Sequence, residues 1–414
     1  MSVSFWSTKA ARGTHTCDVA VIGAGIVGLG AALAAQDAGV DALIIEQGAV
    51  GHGASGRNAG YLMRGAADNY AAAVRDWGRE KARFLWRLSE ANLSALHALG
   101  VSKLPGCSPR PSCLLAADDA EAQELQRSAA LMLEDGFDCE LVTRGDDAVW
   151  RHRDWPVALV NPRDHVCDSM EVLTLLAGKL TRPPLLGGEL YGINAASDGL
   201  TLLTTQGKVS CARAIVCTNA WTGRLVPRLD RLVVPHRAQM LALDASSLIA
   251  SDMPKCAYYA DHGSEYLRAG DEHTILLGGK RKVDVTSEQT AAEQVTRPIQ
   301  AALEAYARDV LGCALPVTHR WSGTMAFTPD GLPIVGPVAI PSAGDLTQLA
   351  EEASAAPAAD GRLWICAGFN GHGMSLGLET VRRAILEMVG ASASHGDGIG
   401  PMRVERFSES APGG

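Results

Sequence analysis

The chain has 414 residues, of which 47% are hydrophobic and 20% are charged, and its formal net charge at pH 7 is −9. A chain of this length can form two domains, and its apolar content is sufficient for large buried cores. The acidic balance and the lack of a long basic tract argue against a nucleic-acid partner.

The ten cysteines are scattered along the chain, with no C-x-x-C pair and no metal-ligand spacing. This usage is typical of a reduced protein, so we predict a cytoplasmic location. We expect no metal site.

The first recognisable element is a strand–helix–strand unit. The apolar run Val19–Ile22 predicts a buried strand, a helix follows up to Ala38, and a second strand ends at Glu46. Between strand and helix stands a G-x-G-x-x-G made by Gly23, Gly25 and Gly28.

Each position in this motif has a physical reason. Gly23 permits the tight turn, Gly25 lets a pyrophosphate approach the backbone, and Gly28 lets the helix pack closely on the strand. Glu46 lies eighteen residues after Gly28, where a carboxylate can accept the hydroxyls of an adenosine ribose. The unit therefore predicts dinucleotide binding.

The uncharged stretch 19–36, which follows Lys9 and Arg12, would also fit a membrane span or a signal peptide. Its glycines, and the strand and acid that come after it, favour the dinucleotide interpretation. We therefore expect no membrane span.

The next stretch, 48–60, is too rich in glycine for a regular element and predicts a loop that approaches a ligand closely. Ser55, Arg57 and Asn58 are suitable donors to a phosphate or a heterocycle. A flexible surface loop is the alternative.

Helical periodicity predicts helices over 77–99, 119–136, 166–180 and 289–311. The apolar strand 214–217 ends at Thr218 and Asn219, and small polar residues at the end of a parallel strand are typical ligand contacts. From 232 to 277 the pattern alternates, which indicates an antiparallel sheet and a second domain.

A second strand-to-helix turn rich in glycine follows the strand 363–367 and contains Gly371, His372, Gly373 and Met374. We expect this turn to place the N-terminus of a second helix next to a ligand. The stretch 342–360, rich in Ala, Ser and Pro, predicts a surface loop, and the residues after Gly390 predict a disordered tail.

Five motifs together resemble a known family: GAGIVG (23–28), GASGRNAG (53–60), CTNAW (217–221), TPDGLPIVG (328–336) and GFNGHGM (368–374). Over most of residues 17–390 the chain resembles the FAD-dependent amine and amino-acid oxidases of the D-amino-acid oxidase and sarcosine oxidase type. The pattern is most similar to their γ-glutamylputrescine oxidase branch.

The resemblance implies an α/β protein with two domains. A discontinuous, Rossmann-like FAD-binding domain would comprise residues 15–83, 147–228 and 318–392. An α+β substrate domain with an antiparallel sheet would comprise 84–146 and 229–317, and 393–414 would be a flexible tail.

The resemblance also implies which residues hold FAD. The expected cofactor contacts are Gly23, Gly25, Gly28, Glu46, Ser55, Arg57, Asn58, Thr218, Asn219, Asp330, Gly371, His372, Gly373 and Met374. Relatives that bind FAD covalently carry a cysteine shortly before the TPDG segment, whereas 321–327 contains none. We therefore expect noncovalent FAD.

The resemblance indicates fewer residues for substrate binding and catalysis than for FAD binding. Met325 stands where glycine and D-amino-acid oxidases place a carboxylate-binding arginine, so a simple α-amino acid does not fit the pattern. Arg64 or Arg268 could bind an anionic group instead, or could be surface arginines. Lys280 is a candidate cation for O₂ activation and His372 a candidate catalytic group, although both could be ordinary polar residues.

The predicted reaction is oxidation of a C–N bond in an amine or amino-acid derivative, with hydride transfer to flavin N5. The imine would hydrolyse and O₂ would be reduced to hydrogen peroxide. Three alternatives remain: a dehydrogenase that uses a quinone or protein acceptor, an NAD(P)H-dependent reductase, and a non-catalytic FAD-binding subunit. The sequence has no second G-x-G-x-x-G, which disfavours the reductase.

Overall fold

The computed structural model of the protein describes residues 13–341, 360–391 and 398–407. The predicted surface loop at 342–360 lies outside these residues except for Asp360. Of the predicted tail, 393–414, the structure describes residues 398–407.

The strands are β1 (Gly13–Ile22), β2 (Ala42–Glu46), β3 (Tyr61–Leu62), β4 (Ser108–Pro109), β5 (Ser112–Leu115), β6 (Glu140–Val142), β7 (Ala158–Asn161), β8 (His165–Val166), β9 (Leu185–Leu186), β10 (Leu190–Ala196), β11 (Gly199–Thr204), β12 (Gly207–Val216), β13 (Val234–Asp244), β14 (Ala257–Ala260), β15 (Glu265–Ala269), β16 (Thr274–Gly279), β17 (Val317–Phe327), β18 (Ile334–Val338) and β19 (Leu363–Ala367). The helices are α1 (Ile26–Asp37), α2 (Tyr70–Trp77), α3 (Arg79–Ala98), α4 (Asp119–Glu134), α5 (Ala148–Arg151), α6 (Ser169–Ala177), α7 (Thr222–Leu225), α8 (Val285–Glu288), α9 (Arg297–Leu311) and α10 (Gly373–Met388).

The chain divides into two compact units. The first unit comprises Met1–Gly56, Val172–Pro235 and Met325–Gly414. The second comprises Arg57–Glu171 and His236–Thr324. The fold class predicted from the sequence, a Rossmann-like α/β part with an added sheet-based part, is confirmed.

The first unit is built on an eight-stranded sheet with β1 at its centre, and β1 pairs in parallel with β2 on one side and β12 on the other. β12 also pairs in parallel with β19, which brings the carboxyl ends of β1, β12 and β19 to one edge. Residues 19–22 of β1 and 214–216 of β12 are apolar and all buried, which shows that these central strands are covered on both faces. This edge is where an open α/β sheet binds ligands.

Helices α1 and α10 cross closely because each carries a glycine at the contact. A Cβ at Gly30 would lie 2.8 Å from Leu378 Cδ1, and a Cβ at Gly377 would lie 2.9 Å from Val27 Cγ2. Every residue of α1 from Ile26 to Ala35 is buried. The close packing places the N-termini of both helices at the edge formed by β1 and β19.

The second unit contains an eight-stranded sheet in the order β17-β13-β16-β15-β14-β5-β7-β6, whose recorded pairings are antiparallel except that between β14 and β5. Helix α9 covers it with Leu303 and Tyr306, which belong to the same core as Leu241 and Leu277. The helix begins at Arg297 rather than at residue 289, because Pro298 suits a first turn and not an interior. Helix α6 is likewise shorter than its prediction.

The observed units differ from the predicted domain boundaries at 57–83 and 147–171, which the resemblance assigned to the FAD domain. β3 pairs with β8 in a small three-stranded sheet of the second unit. Helix α2 is joined to α4, since the Ala71 N–H donates to Ser128 Oγ at 2.8 Å. These contacts are distant in sequence, and they place both stretches in the second unit.

The described part of the predicted tail is packed rather than flexible. Ile399 and Met402 are fully buried, and Gly400–Met402 and Val404–Phe407 form 3-10 turns. The expectation of a flexible tail is therefore wrong for residues 398–407, because the sequence pattern does not reveal their distant partners. The remainder, 408–414, and residues 392–397 lie outside the described chain.

The described residues include no helix that is long and apolar enough to cross a membrane. The uncharged stretch 19–36 is divided between β1 and α1, inside the first unit.

Candidate functional site

The first glycine turn, between β1 and α1, is possible only without side chains. Gly23 has a φ of +106°, and a Cβ there would lie 2.9 Å from the Cys217 carbonyl oxygen. A Cβ at Gly28 would lie 1.8 Å from the carbonyl oxygen of Gly23. Strand and helix thus approach as closely as the motif predicts.

Ser55 stands at the N-terminus of α1. Its Oγ accepts a hydrogen bond from the Ile26 N–H at 3.0 Å, and a Cβ at Gly25 would lie 2.9 Å from it. A helix N-terminus carries partial positive charge, and a serine hydroxyl can also donate. Backbone, dipole and hydroxyl therefore suit a pyrophosphate.

The Glu46 carboxylate is held in place by backbone donors. Its Oε2 accepts from the Ala24 N–H at 2.8 Å and its Oε1 from the Gly48 N–H at 2.7 Å. Each oxygen keeps a lone pair for another donor. The carboxylate therefore has a fixed orientation and acceptor capacity left over.

The carboxyl end of β12 is joined to the turn after β19. Asn219 Oδ1 accepts a hydrogen bond from the Gly368 N–H at 3.1 Å, and Asn219 has a φ of +45°. Thr218 Oγ1 lies 3.3 Å from Thr222 Oγ1. Asn219 therefore has a structural task at the edge where it was expected to contact FAD.

The second glycine turn contains a residue that the sequence analysis did not single out. Asn370 is buried with a φ of +51°, a left-handed conformation in which asparagine is enriched. Its Oδ1 accepts from the Thr328 N–H at 2.9 Å, and its Nδ2 donates to the Gly368 carbonyl at 2.9 Å. An asparagine among glycines in GFNGHG was the available signal.

His372 precedes α10, and its carbonyl oxygen accepts from the N–H groups of Ser375 and Leu376 at 3.1 Å. Its Nδ1 lies 3.3 Å from the Asn370 carbonyl oxygen. Burial lowers the pKa of His372 below its ordinary value, so the imidazole is neutral near pH 7.

Around His372, the turn leaves room for a ligand. Within the described part of the chain, the nearest atom to a Cβ at Gly373 would be Phe369 Cβ at 3.8 Å, apart from its chain neighbours and the helix backbone. Gly371 has a φ of +87°, and a Cβ built there would lie 3.2 Å from Met325 Sδ. Met374 is buried at the start of α10. Met325 therefore lies beside the second glycine turn and presents sulfur rather than a cationic donor.

Asp330, in the turn between β17 and β18, is paired with an arginine that the sequence analysis missed. Arg406 Nε donates to Asp330 Oδ2 at 2.6 Å and Arg406 Nη2 to Asp330 Oδ1 at 3.0 Å. Both carboxylate oxygens are thus engaged by the protein itself. Nothing near Arg406 in the sequence signals this pair, since the partners are 76 residues apart.

Arg57 and Asn58 belong to the second unit and shape its first turn. Arg57 Nη1 donates to the Ser322 carbonyl at 3.1 Å, and its Nη2 lies 3.3 Å from Glu293. Asn58 Oδ1 accepts from the Gly60 N–H and from Ser169 Oγ, both at 2.7 Å. Both side chains therefore have protein partners.

Arg64 is buried in an ion-pair network of the second unit. Its Nη1 donates to Asp138 Oδ1 and its Nη2 to the Asp138 carbonyl, both at 2.6 Å. Glu90 and Asp164 lie 3.4 and 3.7 Å from it. The Arg64 side chain is 2% exposed, and carboxylates surround its guanidinium. This arrangement argues against a substrate anion at Arg64.

Arg268 is also buried, but its partners are neutral. Its guanidinium donates to the carbonyl oxygens of Ala59, Cys167 and Ala269. Among the described residues no carboxylate lies within ion-pair distance, and burial lowers the pKa of Arg268 below its ordinary value. Arg268 is therefore the better candidate of the two for an anionic group.

Lys280 lies after β16 in a left-handed conformation, with a φ of +59°. Its ammonium contacts the Glu265 carboxylate and lies 4.5 Å from the centre of the Tyr306 ring. Glu265 is 8% exposed and Lys280 23% exposed. The positive charge is thus compensated by a buried acid.

Comparison with known proteins agrees with this geometry. The sequence model of the family described as "FAD dependent oxidoreductase" (DAO) matches residues 18–381. Residues 398–407 therefore lie beyond the matched part.

Among curated proteins, γ-glutamylputrescine oxidoreductase of Escherichia coli (strain K12) is 26% identical over 339 residues, which are 78% of this chain and 76% of that protein. Glycine oxidase of Geobacillus kaustophilus (strain HTA426) is 23% identical over 334 residues, 78% of this chain and 85% of the relative. Among solved structures, glycine oxidase from Geobacillus kaustophilus superposes with a TM-score of 0.74 at 18% identity, covering 95% of this chain and 99% of that one. L-proline dehydrogenase from P. horikoshii also gives 0.74, at 17% identity, with 95% and 98% covered.

Proposed function

Because the chain belongs to the family of FAD-dependent oxidoreductases, and is thus an enzyme that uses FAD, we propose that it oxidises a C–N bond of an amine or amino-acid derivative. FAD would supply the hydride acceptor at N5 and would pass the electrons to O₂, giving hydrogen peroxide. The imine product would hydrolyse in water. The observation that carries the proposal is the pair of glycine turns, which place two helix N-termini at one sheet edge of the first unit.

The residues of the first turn are assigned to the adenosine diphosphate end. The N-terminus of α1, Gly25 and Ser55 would hold the pyrophosphate, and Glu46 would accept the ribose hydroxyls. The absence of a cysteine from 321–327 supports noncovalent attachment. Arg57 and Asn58 are assigned to the middle of the cofactor, as the resemblance implies.

The residues of the second turn are assigned to the isoalloxazine end. Gly371, Gly373 and the open space beside them would admit the ring, and the N-terminus of α10 would favour negative charge next to it. His372 is neutral near pH 7, so it would contribute a hydrogen bond and not a charge.

For the substrate, we favour an amine whose reacting carbon bears no carboxylate. Met325 lies beside the second glycine turn, and a thioether cannot donate a hydrogen bond to an anion. The name of the γ-glutamylputrescine relative agrees with such an amine. Arg268 is buried and has no carboxylate partner among the described residues, so it could bind an anionic group of the substrate.

Lys280 is assigned to the reaction with O₂, where a positive charge would favour the superoxide-like transition state. Its pairing with Glu265 weakens the field that the ammonium exerts, so we expect a moderate contribution. No other side chain is assigned as a general base. Ten free cysteines support a reducing location such as the cytoplasm.

The test is anaerobic mixing of the FAD-loaded protein with putrescine derivatives, other amines and amino acids, followed by admission of air. Bleaching of the flavin by an amine, followed by stoichiometric peroxide, would support an oxidase. Bleaching with reoxidation only by a quinone would identify a dehydrogenase instead. If no amine or amino acid bleaches the flavin, the proposed oxidation of a C–N bond is wrong.

A further inference from the structure

We propose that residues 398–407, hereafter the C-terminal segment, hold the FAD-binding turns in place, with Arg406 as the positioning residue. The inference rests on the proposed function, because the turns in question are the ones assigned to the flavin. Arg406 contacts Asp330 in the turn between β17 and β18, so it acts on the FAD-binding turns through Asp330.

The C-terminal segment is fixed on the first unit by buried apolar side chains. Ile399 and Met402 are both 0% exposed, and Thr380 Oγ1 lies 4.0 Å from Met402 Sδ. Arg403 forms a parallel β-bridge with Val335 and pairs with Glu387 at 2.8 Å. Contacts within the protein therefore hold the C-terminal segment on the first unit.

Arg406 lies in the last turn of the C-terminal segment and contacts the turn between β17 and β18. Arg406 forms a two-pronged pair with the Asp330 carboxylate and also donates from Nη2 to the Leu332 carbonyl at 2.9 Å. Its own Nη1 donates to the Met402 carbonyl at 2.8 Å, which fixes the guanidinium on the C-terminal segment. Such forked arginine–carboxylate pairs define orientation as well as energy.

The turn that Arg406 holds is in direct contact with the second glycine turn. Thr328 Oγ1 donates to the Leu332 carbonyl at 2.9 Å, and the Thr328 N–H donates to Asn370 Oδ1 at 2.9 Å. A Cβ at Gly368 would lie 2.4 Å from Thr328 Cγ2, so the two turns are in van der Waals contact. A continuous series of contacts thus leads from Arg406 to the turn that begins α10.

This arrangement gives Asp330 a different task from a direct contact with the cofactor. Both of its oxygens accept from Arg406, and Oδ1 also accepts from the Leu332 N–H at 3.2 Å. The carboxylate therefore sets the shape of the turn. When the binding-competent shape is less populated, the apparent FAD affinity falls in proportion.

The experiment compares R406A, R406K and the control R403A, which removes the Arg403–Glu387 pair of the same C-terminal segment without touching Asp330. FAD dissociation constants are measured by quenching of flavin fluorescence, and apo-protein thermal midpoints are recorded beside them. We expect R406A to weaken FAD binding by about tenfold, as the loss of a charge-assisted pair would. R406K, which keeps the charge but not the fork, should lie between R406A and the wild type.

D330N and the double variant R406A/D330N complete the test. If Arg406 acts through Asp330, the double variant should bind FAD no more weakly than R406A alone. Equal FAD affinity in R406A and R403A would overturn the proposal, and so would additive effects of R406A and D330N. Failure of the wild type to bind FAD would instead contradict the proposed function, so the two failures are distinguishable.

Discussion

Asn219 Oδ1 accepts a hydrogen bond from the Gly368 N–H at 3.1 Å, which joins the end of β12 to the glycine turn after β19. The two residues are 149 positions apart in the sequence. Asn219 also adopts a left-handed backbone, which costs a residue other than glycine, asparagine or aspartate roughly 1–2 kcal/mol. The side chain and the backbone conformation of Asn219 thus both position the end of β12 relative to the end of β19.

The first prediction concerns this contact. Asn219→Ala removes the acceptor and strains the backbone, so the thermal midpoint should fall and the FAD dissociation constant should rise. Asn219→Asp keeps an acceptor and tolerates the left-handed conformation, so it should retain more FAD than the alanine variant. Thermal unfolding and FAD titration check the pair. Equal FAD binding in N219A and the wild type would contradict the assigned role.

The second prediction uses the open space at Gly373. Gly373→Ala should leave the thermal midpoint of the apo-protein unchanged, because the new Cβ would lie at an ordinary contact distance of 3.8 Å from Phe369 Cβ. If FAD approaches this position, overpacking should cost about 1–3 kcal/mol of binding. Gly178→Ala, after α6, is the matched control and should bind FAD normally. Normal binding in both variants would place the flavin elsewhere.

The third prediction concerns substrate choice. Amines without an α-carboxylate should reduce the flavin faster than glycine, sarcosine or D-alanine, because Met325 offers no donor to a carboxylate. The absent ion pair corresponds to roughly 2–5 kcal/mol of discrimination. Anaerobic stopped-flow reduction with matched amine and amino-acid pairs measures the ratio. If the amino acids react tenfold faster, Arg268 is the first residue to replace, since Arg64 is committed to Asp138.

The fourth prediction concerns the attachment of FAD. The purified protein should be yellow, and acid precipitation should release the flavin into the supernatant, because 321–327 contains no cysteine for a covalent bond. Absorbance and mass spectrometry of the supernatant check this. A coloured pellet that retains its flavin would show a covalent link to another residue.

The fifth prediction concerns Asp164. Burial raises the pKa of this carboxyl from 3.8 to about 7, although Ser112 Oγ donates to it at 2.6 Å. Since the folded pKa exceeds the unfolded one, the stabilisation is complete below about pH 4 and is lost as the pH rises through 7. The loss is at most about 4 kcal/mol, from the 1.4 kcal/mol that each pKa unit represents.

Asp164→Asn cannot titrate, so its thermal midpoint relative to the wild type should rise between pH 4 and 8. Asp138→Asn is the control. Hydrogen bonding to Arg163 lowers the pKa of Asp138 below 3.8, so this carboxyl stays charged across that range. A difference between D164N and the wild type that does not vary with pH would contradict the assignment.

Some of the molecule was predictable because the interactions that form it are local. The G-x-G-x-x-G turn and the helix after it occupy a few consecutive residues, so spacing alone specifies Gly23, Gly25 and Gly28. Glu46 follows because a β-α-β unit has a characteristic length. The second glycine turn was predictable for the same reason, as was the alternation that indicated an antiparallel sheet.

What the sequence by itself determined, then, is the family, the cofactor and the two turns, since each depends on residues close together in the chain. Only the tertiary structure decided that Arg64 is buried among carboxylates, that 57–83 belongs to the second unit, and that Arg406 holds Asp330. The carboxylates around Arg64 lie 26 to 100 residues away from it in the sequence, and Asp330 lies 76 residues from Arg406. A charged residue looks the same in a sequence whether it faces water, a ligand or a buried carboxylate, and only the fold brings its partner to it.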